Sequence, residues 1–156
     1  MIRRELRELV TRIAADPHEW RPLVRHDTGD RHFEQLWRDD HVDVWVISWG
    51  TGNDTGFHDH DVSSGAVAVV EGEIIEERLV VGGLPRQLRH RVGETFDFDA
   101  SHVHRMRHDA AAMAVSIHAY SPPLWRMGAY EVEADGTLRR RSISSAEELR
   151  PVESAA

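Results

Sequence analysis

The stretch Gly56-Phe57-His58-Asp59-His60-Asp61 sets two imidazoles one residue apart, just after the loop Gly50-Thr51-Gly52-Asn53-Asp54. In an extended strand alternate side chains share a face, so His58 and His60 point one way and Asp59 the other. Two convergent imidazoles are half of a metal site, and a third donor from elsewhere in the chain would complete it. On spacing alone, a pair of exposed strand histidines accounts for them equally well. A second alternation, Ser116-Ile117-His118-Ala119-Tyr120, brings serine, histidine and tyrosine to one face of one strand. A Ser–His–Tyr hydrogen-bond chain there would fix the imidazole tautomer and hold the phenol hydroxyl toward a metal. The plainer alternative is a half-buried strand with one polar face.

The elements that must position these groups are mostly short strands. Ile2, Leu6, Leu9, Val10 and Ile13 recur at helical spacing with charges between them, and Pro17 closes that segment, so one amphipathic helix is expected. From about residue 31 the texture changes. His32–Trp37 and Val42–Trp49 flank the turn Arg38-Asp39-Asp40-His41, and Ala66–Val70 and Glu73–Val81 flank Glu71-Gly72. Gly93–Phe98 and Ala111–Tyr120 follow, then Tyr130–Glu133 and Thr137–Ser144 around Ala134-Asp135-Gly136. Many turn-bounded strands predict an antiparallel barrel or jelly roll. The expected organisation is a helical segment over 1–29, one β domain over 30–145 and a weakly ordered tail over 146–156.

Composition narrows the function classes. The chain has 156 residues, a formal net charge of −8, eleven histidines and no cysteine. Acidity argues against a nucleic-acid or anionic-membrane partner. The absence of cysteine excludes disulfides, thiolate ligands and a cysteine nucleophile. The charged N-terminus is unlike a signal peptide, so a cytoplasmic location is expected. Arg139-Arg140-Arg141 reads as a solvated face. The tryptophans Trp20, Trp37, Trp45, Trp49 and Trp125 read as core or rim packing, with Trp125 and Met127 placed to cover a pocket mouth. His108 reads as structural, and His26, His90 and His102 have no partner at a recognisable spacing.

Gly52, five residues, His58-x-His60 and then Gly72 resemble the first cupin motif. Gly93, five residues, Asp99, Ser101 and His104 resemble the second, and that register selects His104 rather than His102 as the third ligand. The glutamate that the cupin pattern usually adds would fall at Ser64 or Gly65. Three neutral imidazoles without a carboxylate leave the metal its full double charge and favour anionic ligands. They suit zinc as well as iron.

Beyond the cupin pattern, "WGTGNDTGFHDHDVSSGAVAVVEGEI", "HVHRM" and "AVSIHAYSPP", with "HFEQLW" upstream, resemble the cysteine dioxygenase family over roughly residues 30 to 125. The resemblance implies an all-β, single-domain jelly-roll cupin with a short N-terminal helical segment. It implies Fe(II) on His58, His60 and His104, and oxidation of a small thiol carboxylate, L-cysteine or 3-mercaptopropionate, by O2 to its sulfinic acid. It assigns Ser116, His118 and Tyr120 to a triad beside the iron and suggests a cis Ser121-Pro122 bond. Mammalian members have a tyrosine-linked cysteine where this chain has Gly65, so Tyr120 must act unmodified. Cysteine-specific members clamp the substrate carboxylate with an arginine two residues after an aromatic. Here that pattern falls on Phe33 and Gln35, and glutamine marks relatives that prefer 3-mercaptopropionate. Arg31 or His32 is the alternative if the register differs. The competing readings are a non-catalytic cupin that senses a thiol or anion, and a zinc or manganese cupin enzyme.

Overall fold

Alternation of apolar residues builds eleven strands among the described residues, and they pair antiparallel in two sheets. The computed structural model describes residues 1–26 and 29–144. The expected tail lies outside these residues. The strands are β1 His32–Arg38, β2 Asp43–Trp49, β3 His58–Asp59, β4 Ser64–Glu71, β5 Glu73–Arg78, β6 Arg86–Arg91, β7 Thr95–Phe98, β8 His104–Arg107, β9 Ala114–Ser121, β10 Arg126–Val132 and β11 Leu138–Ser144. One sheet has the order β1-β2-β9-β4-β7 and the other β11-β10-β3-β8-β5-β6. This is the all-β jelly roll that the sequence predicted.

The N-terminal helix, α1 Arg3–Ala14, buries Leu6, Val10 and Ile13, one stripe at helical spacing. Pro17 does more than end it. It opens a short second helix, α2 Pro17–Trp20, in which Asp16 caps the backbone N–H of His18 at 3.1 Å.

Strand β9 is buried along its whole length between β2 and β4, and its two faces do different work. Val115, Ile117 and Ala119 pack into one core with Leu6, Val10 and Ile13 of the helix. Ser116, His118 and Tyr120 face the opposite way, into the space between the sheets. The helix therefore seals one side of the sheet whose other side carries the polar residues. Strands β6 and β8 fall outside the expected runs. Among the described residues the charged β6, "RQLRHR", pairs with β5 alone, at a sheet edge, where an alternating apolar face is not required. The β4–β5 turn needs Gly72, whose φ is +65° and where a Cβ would lie 2.7 Å from the Met113 carbonyl oxygen.

Candidate metal centre and adjoining cavity

His58 lies on β3, directly across from His104 on β8. His60 follows just beyond β3, where Asp61 turns the chain with a φ of 55°. All three histidines are buried, and their donor atoms lie within 4.8 Å of one another. His58 Nδ1 faces the Gly56 carbonyl at 3.0 Å, so the ring donates there and turns Nε2 inward. His104 Nδ1 faces Glu76 Oε1 at 2.9 Å, and its Nε2 is buried with no hydrogen-bond partner. His60 Nδ1 is likewise buried and unpartnered. Buried ring nitrogens are normally satisfied, so unpartnered nitrogens on two of three clustered imidazoles fit a metal ion. Burial pushes the pKa of His58 and His60 well below the usual histidine range, and neighbouring imidazoles add to the effect. Burial also lowers His104, with Glu76 partly opposing it. Neutral imidazole is the form that binds metal.

Two carboxylates brace this cluster from behind. Glu76 is fully buried and takes His104 Nδ1 and His102 Nε2 on one oxygen and His90 Nε2 on the other, each at 2.9 Å. Burial alone would raise the Glu76 pKa, but His102, His104 and His90 outweigh it and hold the carboxyl far below its ordinary range. His90 and His102, for which the sequence offered no partner, are thus spokes of this hub. No sequence motif marks Glu76; the one hint is an acid following the apolar pair Ile74-Ile75. On the other side, Asp59 accepts from Arg140 Nε at 2.7 Å and Nη2 at 2.9 Å, Tyr130 Oη at 2.6 Å and Gly128 N at 2.9 Å. Burial pushes Asp59 up, but Arg140 and Tyr130 prevail and its pKa falls well below normal. Arg140, read from sequence as a solvated charge, instead ties β11 to the strand that bears His58.

Ser116 Oγ and His118 Nε2 are 2.8 Å apart, and His118 Nδ1 and Tyr120 Oη 3.0 Å. All three are buried. Burial first, then the charges of His104 and Arg31, lowers the His118 pKa to about 3. The chain continues one step further than the sequence suggested, because the Trp49 indole N–H donates to Ser116 Oγ at 2.8 Å. A small cavity that opens to solvent adjoins His58, His118 and Tyr120. Phe33, Trp45, Trp49, Leu124 and Met127 supply apolar walls. His108 spans the carbonyls of Glu73 and Ala112, which suits a structural residue.

The carboxylate-seating candidates separate. Arg31 lines the cavity, its guanidinium 5.1 Å from the Phe33 ring centroid and 5.5 Å from that of Trp49. Gln35 is exposed, and its amide donates to Asp43 Oδ1 at 3.0 Å, nearer the hairpin turn. It is not among the described residues that line the cavity. His32 is occupied by Glu34 at 2.9 Å. Met127 lines the cavity, whereas Trp125 is exposed beneath Arg38. Gly65 pairs with both Tyr120 and Phe98, and a Cβ there would collide with the Phe98 ring. The Ser121-Pro122 bond is cis.

A jelly roll with converging histidines in its interior defines the class, a cupin, and solved structures agree. A protein from Thermus thermophilus shares 16% identity with a TM-score of 0.58, covering 66% of this chain and 93% of that one. An uncharacterized conserved protein with a double-stranded beta-helix domain from Klebsiella pneumoniae shares 14% identity with a TM-score of 0.55, covering 77% and 91%. A cupin superfamily protein from Desulfitobacterium hafniense shares 10% identity at the same TM-score, covering 66% and 87%. These show the fold alone. The family model for cysteine dioxygenase type I matches residues 3–133, and the chain belongs to that family.

Proposed function

We propose that this protein is an Fe(II)-dependent thiol dioxygenase that oxidises a small mercapto carboxylic acid to its sulfinic acid. The observation that carries the reading is the buried cluster of three imidazoles beside a cavity that also meets Tyr120 at the end of the Ser116–His118 chain. His58, His60 and His104 would hold the iron, which supplies the electron transfer needed for O2 to add to sulfur. Overall R–SH and O2 combine to R–SO2H, so no other reductant is consumed.

The protein's residues bind and orient. Arg31 offers a planar, charge-assisted fork to the carboxylate, and its stacking on Phe33 and Trp49 fixes that fork. Among the described residues lining the cavity, none is a carboxylate that could pair with the ammonium of cysteine. That favours 3-mercaptopropionate over L-cysteine. Tyr120 donates or accepts a hydrogen bond at the substrate end, and the apolar walls exclude water from the reacting sulfur. Gln35, bonded to Asp43, would influence the site only through the β1–β2 hairpin.

Oxygen uptake by the Fe(II)-loaded protein across a panel of thiols tests this. We expect fastest consumption with 3-mercaptopropionate, and Arg31→Gln should raise its KM at least about tenfold through loss of the charged contact. No uptake with cysteine, 3-mercaptopropionate or any other mercapto acid would refute the activity.

A further inference from the structure

We propose that Trp49 is a positioning residue that sets the direction of hydrogen bonding through Ser116 and His118, making Tyr120 a donor toward the cavity. The catalytic consequence rests on the thiol dioxygenase reading, but the direction itself does not. An indole N–H can only donate, so Trp49 occupies a lone pair of Ser116 Oγ at 2.8 Å. The serine hydroxyl has one proton left to place. Trp49 and Ser116 have no exposed surface, so leaving that proton without an acceptor is costly. His118 Nε2, 2.8 Å away, is the acceptor at hand. A neutral imidazole that accepts at Nε2 carries its proton at Nδ1, which then donates to Tyr120 Oη at 3.0 Å. With its oxygen accepting from His118, Tyr120 directs its own O–H away from the histidine. The residues around that end of the phenol line the cavity. Reversed polarity would place the imidazole proton at Nε2 and leave Tyr120 donating to His118, with no proton for a ligand.

The tautomer of His118 is directly readable by ¹⁵N NMR of histidine-labelled full-length protein, with Zn(II) added to keep the site diamagnetic and His118 assigned by its loss in His118→Asn. We expect a protonated Nδ1 and a bare Nε2. A protonated Nε2, or an even mixture, would overturn the proposal. Trp49→Phe keeps most of the ring volume and should shift His118 toward a mixture; an unchanged tautomer would remove Trp49 from the role. Should that variant not fold, Ser116→Ala interrupts the same relay and should produce the same shift, and an unmoved signal there counts equally against the proposal. In the Fe(II)-loaded enzyme Trp49→Phe should lower kcat by about tenfold, and Trp49→Phe/Tyr120→Phe should be no slower than Tyr120→Phe alone. Multiplying losses would mean that Trp49 acts by another route. Absence of thiol oxidation with the expected tautomer would refute the function and leave the relay standing.

Discussion

At the scale of single residues, Glu76 changes the electrostatic picture that the motifs alone suggest. Three neutral histidines leave a metal ion its full charge, yet one of them is hydrogen-bonded to a buried carboxylate. Glu76 does not take the place of a ligand; it sits on the Nδ1 side of His104, away from the unpartnered Nε2. Such a carboxylate orients the ring and makes it more basic. Glutamine at this position keeps the shape but turns a donor toward one of the three imidazole N–H groups that now find an acceptor. Glu76→Gln is therefore expected to weaken Fe(II) or Co(II) binding by about 10- to 100-fold, measured by metal titration. Equal affinity for both proteins would show that His104 needs no such support.

At the scale of elements, the site depends on three strands packed closely around Gly65. In strand β4 this glycine pairs with Tyr120 on β9 and Phe98 on β7, and Phe98 fills the space a side chain would use. Phe98 also lies against His60, with ring centroids 4.5 Å apart, and His60 lies 5.2 Å from Tyr120. Gly65→Cys should thus overpack the junction, costing about 1–3 kcal/mol and several degrees in Tm. Adding Phe98→Leu should recover part of that loss. A Gly65→Cys protein as stable as the parent would contradict this account of the packing. The same elements show what the sequence could reveal. His58 and His60 were legible because their spacing is local, and His104 because a glycine-based register located it. Ser116, His118 and Tyr120 were legible because alternation along one strand is reliable. Glu76, Phe98 and Trp49 join the site through contacts between strands that no local pattern encodes. The different placement of Gln35 and Arg31 has the same origin: an aromatic-x-polar pattern fits Phe33 and Gln35, but it is Phe33 on β1 and Arg31 just before that strand that line the cavity.

At the scale of the molecule, a net charge of −8 sets a field unfavourable to an anionic substrate. Over distances beyond about 8 Å physiological salt screens most of that field, and in the proposed reading Arg31, which lines the cavity, would supply a local attraction for the carboxylate. Among the described residues no helix is long and apolar enough to cross a membrane. The α1 helix on one side and the Glu76 and Asp59 hubs on the other hold the histidines and the Ser116–His118–Tyr120 face in one fixed interior. The arrangement has the metal donors, the cation and the phenol that direct addition of O2 to a thiol would use. The most direct test is turnover of 3-mercaptopropionate by the Fe(II)-loaded protein under ¹⁸O2, with mass analysis of the product. The account predicts a sulfinate in which both oxygens come from O2. A sulfinate carrying solvent oxygen, or a disulfide as the sole product, would contradict it.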